Sequence, residues 1–329
     1  MRKLFLLFAV VAVAAAGCSD STSPSAVLDV SAAVDPPTGT VITDFMLSAG
    51  ATSTGGRAIE FRWDFESDGT YDTDWSTEAV AYHRYASGDT ITVTVEARDG
   101  SDTGTATTTL HLRTDHGTVV DQIALPPILL RAYYSGFTND GQDFWISTWT
   151  GDIYKLSGTT GVRVDSIPGL TSWTGSLVWD GEHLWVTESS YLHERDTETG
   201  AQLSYFPVAY SAQTGGVAWD GEVFYYGSNR NYAGTQGDGL IHIYTSDGTE
   251  TGTLTTPGGD TDPRGLAYDG ENLWVAVEDG DTLYCVDPDD GSVNWTVPYS
   301  DEHGDLTVRD GYLWIIAYGS PPSLAQLVP

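Results

Sequence analysis

Cysteine and lysine are nearly missing from this chain. Two of its 329 residues are cysteines, Cys18 and Cys285, and the only lysines are Lys3 and Lys155. Two cysteines exclude a disulfide-stapled fold, and a lysine-dependent mechanism has a single candidate beyond the first few residues. Positive charge of any kind is scarce: 14 Lys and Arg stand against 46 Asp and Glu, a formal net charge of −32. A surface this acidic repels phosphate, which excludes a nucleic-acid partner. The longest uninterrupted apolar run, Leu4–Ala16, has 13 residues, short of the roughly 20 that a membrane-spanning helix needs. The chain has no Gly-x-Ser-x-Gly, no His-Glu-x-x-His and no phosphate-binding loop. What it does have excludes disorder: 40% hydrophobic residues and 11 Trp. Its 37 glycines, together with abundant Thr, Val, Tyr and Trp, favour strands and tight turns over helices.

The N-terminus reads as an address. Arg2 and Lys3 precede the apolar run, which ends in Ala15-Ala16-Gly17-Cys18. A short h-region closed by small residues is an export signal. Small residues before a Cys resemble the bacterial lipobox, and the resemblance implies that residues 1–17 are removed and that Cys18 is acylated. The partner so implied is a lipid bilayer, held by several acyl chains at about 0.8 kcal/mol per buried CH₂. Residues 18–26 form a polar tether. Ser19, not an Asp, follows the Cys, which by the enterobacterial sorting rule points to the outer membrane, facing the periplasm or the surface. With Cys18 acylated, Cys285 has no disulfide partner and is expected to be a buried spectator.

Residues 27–114 alternate apolar and polar side chains between turn signals, as in Thr90-Ile91-Thr92-Val93-Thr94-Val95, which predicts a β-sandwich. Arg62-Trp63-Asp64-Phe65, Tyr82-His83-Arg84-Tyr85 and Gly88-Asp89-Thr90-Ile91-Thr92-Val93 followed by Arg98-Asp99 resemble the strands of a PKD domain, an immunoglobulin-like module. The resemblance implies a spacer or adhesion role. Between the first two stretches, Asp64, Glu66, Asp68 and Asp72 take positions 1, 3, 5 and 9 of a loop with Gly69 at position 6. That spacing imitates a calcium loop, although Trp75 stands where the bidentate Glu belongs. The four carboxylates are the candidate metal ligands and Ca²⁺ the candidate cofactor, with a solvated acidic turn as the alternative.

The remainder is repetitive. Asp-Gly recurs at Asp140, Asp180, Asp220, Asp269 and Asp310, and the flanks repeat: Leu177-Val178-Trp179-Asp180-Gly181-Glu182-His183-Leu184-Trp185 matches Leu266-Ala267-Tyr268-Asp269-Gly270-Glu271-Asn272-Leu273-Trp274. The last copy reads as one residue shorter before Leu313-Trp314-Ile315. A unit of about 40 residues with four short strands predicts a β-propeller blade. Five blades are expected over 115–329. The final copy lacks its fourth strand and an orphan strand, Val119–Leu125, precedes the first, so the orphan is expected to complete the last blade and remove the free edges. Trp145, Trp185, Trp274 and Trp314 are read as blade core. The expected fold class is therefore all-β, a PKD-like sandwich followed by a five-bladed propeller closed by its own N-terminal strand.

Loops entering the inner strands and loops between second and third strands share one face of such a ring. They gather Tyr133, Tyr134, Trp149, Trp173, Tyr210, Asn229, Arg230 and Arg264 as candidate ligand-binding residues. Aromatics with a few Arg and Asn suit a glycan or a peptide, or an envelope protein. Glu188 and His303 are the candidate acid/base residues; His183 and His193 lie on different repeat elements without ligand spacing around them. The blades resemble those of NHL/YVTN-type propellers and, more distantly, plant-type glutaminyl cyclases. In Gly136-Phe137-Thr138-Asn139, Asn139 stands where the cyclases have Gln, and Thr174-Gly175 stands where they have Glu-Gly. Two functions follow as expectations: a lipid-anchored binding or scaffold protein with the sandwich as spacer, or an extracytoplasmic propeller enzyme, cyclase-like or acting on polysaccharide.

Overall fold

The computed structural model describes residues 28–100, 102–125, 134–148, 150–171, 174–188, 190–208, 215–228, 238–259, 262–277, 281–299, 303–317 and 322–329. The chain is all-β, with no α-helix among the described residues.

The N-terminal unit is a two-sheet sandwich. Strands β1 (Leu28–Asp35), β3 (Phe45–Ser53) and β5 (Val80–His83) form one sheet; β2 (Thr38–Gly39), β7 (Asp102–Leu112), β6 (Thr90–Asp99) and β4 (Glu60–Asp64) form the other. Period-two alternation builds it: Val93, Val95 and Ala97 of β6 point inward onto Phe45, Leu47, Trp63 and Leu110, while the intervening Thr and Glu stay out. On the outer face the paired strands β4 and β6 carry crossed ion pairs, Arg62–Glu96 at 2.5 Å and Arg98–Glu60 at 2.7 Å. The Trp75 ring lies 4.6 and 4.3 Å from the two guanidinium carbons, a cation–π cover for both arginines.

The rest is a propeller-like set of four-stranded antiparallel sheets. Four of them use consecutive strands: β9 (Tyr134–Asn139), β10 (Phe144–Thr148), β11 (Asp152–Leu156), β12 (Arg163–Pro168); β13 (Thr174–Trp179), β14 (Leu184–Glu188), β15 (Tyr191–Arg195), β16 (Gln202–Pro207); β17 (Val217–Trp219), β18 (Val223–Gly227), β19 (Leu240–Thr245), β20 (Glu250–Thr255); and β21 (Pro263–Tyr268), β22 (Leu273–Val277), β23 (Thr282–Val286), β24 (Val293–Pro298). A further sheet joins β25 (His303–Arg309), β26 (Tyr312–Ala317) and β27 (Ser323–Leu327) to β8 (Val119–Ala124), which comes from the other end of the unit. The β8–β27 ladder runs from Ser323↔Ala124 to Leu327↔Val119, so the orphan strand does cover the last sheet's edge. The innermost strands β9, β13, β17, β21 and β25 touch in cyclic order, with β25 against β9. At two waist positions their approach leaves no room for a side chain: a Cβ on Gly136 would sit 2.3 Å from the Gly175 carbonyl oxygen, and one on Gly216 2.6 Å from the Leu266 nitrogen.

The Asp-Gly repeat has a hydrogen-bonding reason. In four sheets the aspartate heads the hairpin between the first two strands. Its Oδ1 accepts the main-chain N–H groups two and three residues on, and its Oδ2 accepts a ring donor five residues on: Trp145 Nε1 at 3.1 Å, Trp185 Nε1 at 2.7 Å, Tyr225 O–H at 3.0 Å and Trp274 Nε1 at 2.8 Å. All four tryptophans read as core are buried. The last copy is not shorter. Leu306 pairs with Ile315 as Leu177 pairs with Val186, at the same spacing along the chain. Instead the Asp-Gly pair has moved one residue on, Arg309 stands in the aspartate's place, and Asp310 and Gly311 make a two-residue turn with φ of 53° and 75°. Trp314 Nε1 consequently has no hydrogen-bond partner among the described residues.

The sandwich is docked on the ring and does not hang from it. Ile42 is buried with Trp274, Leu306 and Leu313 of the last two sheets. Thr40 Oγ1 donates to the Gly311 carbonyl. Arg84 is held by Asp44 at 2.6 Å and reaches Asp269, its Nη2 donating to that residue's carbonyl at 2.7 Å and its Nη1 lying 3.3 Å from the carboxylate.

Candidate functional site

Alternating strand direction gives the ring two ends. The Asp-Gly hairpins lie at one end. The entries to the inner strands and the connections between second and third strands lie at the other, where the sequence places its candidate ligand-binding residues. Of these, Tyr133, Trp149, Trp173, Tyr210, Asn229 and Arg230 lie outside the described residues, as does Cys18, and His303 is described only as the first backbone position of β25. Tyr134 and Arg264 are described. Tyr134 opens β9 and is buried with Phe137, Phe144 and Trp314 between the first and last sheets, so it packs the ring and does not line a surface. Arg264 sits on β21, half-buried, one residue before the waist glycine Gly265.

Glu188 ends β14 and is buried. Its Oε1 and Oε2 accept the Leu170 N–H at 3.0 and 3.1 Å, and Thr174 Oγ1 donates to Oε1 at 3.2 Å. Arg195 Nη1 lies 3.7 Å away, and both side chains are completely buried. Burial pushes the Glu188 carboxyl above its ordinary range, against the pull of these donors and of Arg195. A raised carboxyl suits acid/base chemistry, but this one braces the connection that feeds β13.

The sequence reading passed over Asp305. It occupies the waist position held by Gly136, Ser176, Gly216 and Gly265 in the other inner strands, and that break in the repeat was the available signal. Its side chain is completely buried. Ser176 Oγ donates to Oδ2, Phe137 N–H to the same oxygen at 3.1 Å, and Leu306 N–H to Oδ1 at 3.0 Å. Ser176 Oγ in turn accepts the Val217 N–H at 3.1 Å. One carboxylate therefore ties four inner strands. Burial raises its pKa to about 7, opposed by hydrogen bonds from Ser176 and from the main chain of Phe137, Leu306 and Leu177.

Histidines form two further clusters. His242 is buried with Nδ1 2.8 Å from Glu250 and Nε2 3.0 Å from Asp238, and Ser228 Oγ donates to Asp238. His183, Asp180 and Glu194 lie within 4.8 Å of one another, so the ring does give His183 neighbours that sequence spacing did not suggest. Asp180, however, is already occupied by Trp185 and two main-chain N–H groups.

In the sandwich, Asp64, Glu66 and Asp72 also lie within 4.8 Å of one another, and Asp68 is not in that group. Asp64 accepts the Asp68 and Gly69 N–H groups at 3.1 and 2.8 Å, Asp72 accepts Phe65 N–H at 2.7 Å, and Asp68 accepts Thr70 N–H at 2.7 Å. These are the capping bonds of an acidic turn. The three grouped carboxylates remain close enough to share a hard cation.

Asn139 is at the hairpin end of β9. Its Nδ2 donates to Thr307 Oγ1 at 2.8 Å and the Val308 carbonyl at 2.9 Å, fastening the first inner strand to the last. Thr174, at the opposite end of β13, is spent on Glu188.

No protein-family model and no curated protein matches the chain. Among solved structures, the glutaminyl cyclase of Myxococcus xanthus is similar at 13% identity, with 64% of this chain and 97% of that one covered and a TM-score of 0.53. A nidogen/laminin complex matches at 14% identity over 60% of this chain and 76% of that one, with a TM-score of 0.45. At 13% identity the likeness to the cyclase is one of fold: a propeller-like, all-β ring.

Proposed function

We propose that this chain is a lipid-anchored, extracytoplasmic binding protein of the bacterial envelope. In this reading a PKD-type sandwich is docked on a five-bladed propeller closed by β8, and the face opposite the hairpins recognises a glycan, a peptide or an envelope protein. One observation carries it: the buried carboxylates with raised pKa, Glu188 and Asp305, face main-chain amides and neighbouring strands. Groups so engaged hold structure and are poorly placed to move a substrate's proton. The sandwich, docked at the hairpin end, leaves the loop face free to bind. Stacking and hydrogen bonding can hold a sugar or peptide there without a nucleophile.

Two experiments test the reading. Cys18→Ser, expressed in a lipoprotein-processing host, should leave the membrane fraction; retention there with unchanged mass removes the anchor. Glycan and peptide panels, including peptides with N-terminal glutamine, should show binding without product. Turnover that Glu188→Gln or His303→Ala abolishes, with binding intact, replaces this reading with an enzyme.

A further inference from the structure

At the hairpin end of the ring axis lies a cavity of about 290 Å³, lined by residues of the inner strands and their first turn. That is the lower edge of the size range for small-molecule sites. Three aromatic residues line it, Trp179, Trp219 and Tyr268, each one residue before its hairpin aspartate; Thr138, Asn139 and Thr307 also line it, the last two hydrogen-bonded to each other. The aromatics are braced. Trp219 packs on Phe224 with ring centroids 4.3 Å apart, Trp179 packs in the cluster of Trp145 and Leu177, and Tyr268 in that of Tyr225 and Leu266. This packing leaves the three rings little rotamer freedom to lose on binding.

The hairpins around this mouth are mostly acidic, with Arg309 in the aspartate's place in the last of them. Asp140 lines the cavity; Asp180, Asp220 and Asp269 directly follow its aromatic lining residues in sequence, and Glu182, Glu222 and Glu271 come two residues further on. Lys155 answers Asp140 at 2.8 Å and Arg84 answers Asp269 at 3.3 Å. No Lys or Arg pairs with Asp180 or Asp220 among the described residues. Aromatic side chains in a negative field attract a desolvated cation through the ring quadrupole, and the same field repels anions.

We propose that this cavity binds a small organic cation bearing an alkylammonium or quaternary ammonium group. The site is separate from the loop face, so the failure of either leaves the other standing. The probes are choline and 3,3-dimethylbutan-1-ol, its uncharged carbon isostere, titrated into the full chain and followed by ¹⁵N-labelled indole resonances. Choline should shift the Trp179 and Trp219 signals saturably, and the isostere should bind about tenfold more weakly or worse. Trp179→Leu and Trp219→Leu should each weaken choline binding about fivefold, with the melting temperature lowered by the lost packing and the native fold retained. If a leucine variant is unstable, the isostere comparison on the unaltered chain decides. Equal affinity for the isostere, saturable binding of glucose in place of choline, or no saturable shift with choline overturns the assignment.

Discussion

Asp305 shows what a single residue does in this ring. Its folded pKa is raised from the ordinary 3.8 to about 7, so the native chain holds a proton that the unfolded chain has already released. The stability this residue contributes is complete below about pH 4 and is lost as pH rises to about 7. Thermal unfolding of the wild type and Asp305→Asn across that window should show the wild type losing ground relative to the variant as pH increases; a flat or rising difference contradicts the burial argument. The hairpin aspartates give a second residue-scale test. Asp180→Asn puts a donor opposite the Trp185 indole and should cost about 1–3 kcal/mol. Asp310→Asn should be nearly neutral, because Asn tolerates positive φ and, among the described residues, Asp310 accepts only from Arg309. Denaturant midpoints of the two variants compare them directly.

Among the elements, β8 is the one whose partner is most distant in sequence. Besides its ladder to β27, the segment before it exchanges hydrogen bonds with the last residues: Gly117 N–H donates to the Val328 carbonyl at 2.9 Å, and Val328 N–H to the Thr118 carbonyl at 3.0 Å. Deleting 119–124 should therefore strip hydrogen-exchange protection from Ser323–Leu327 while β14 to β16 keep theirs. Loss of protection confined to β9 and β10 would contradict the pairing.

For the whole molecule, the docked sandwich matters most. Ile42 enters the core shared by the last two sheets, and Arg84 joins Asp44 to Asp269. The intact chain should unfold in one calorimetric transition. Ile42→Asp places an unpaired charge among Trp274, Leu306 and Leu313, and should split that transition into two. Ile42→Ala should cost about 2–4 kcal/mol without splitting it. A wild type that already melts in two steps would make the sandwich the loose spacer that its sequence suggested.

Sequence alone determined the elements. Alternation located β6, and the Asp-Gly, Trp and Tyr spacing located the hairpins, because those signals act over two to five residues through pleat geometry and an aspartate bonding to its own turn. It also showed that the last repeat has three strands of its own, which made the partner of β8 legible. Only the tertiary structure decided the rest. Phe137 N–H meets Asp305 across 168 residues of chain, and Arg84 meets Asp269 across 185. The aspartate displaced in the last hairpin looked like a deletion until the Leu306↔Ile315 register fixed the spacing. Glu188 reads as an acid/base candidate and Tyr134 as a ligand-binding one because local pattern says nothing about which strand a closing ring will press against them. Ring closure and docking are set by long-range packing, and that packing decides which polar side chains end up buried.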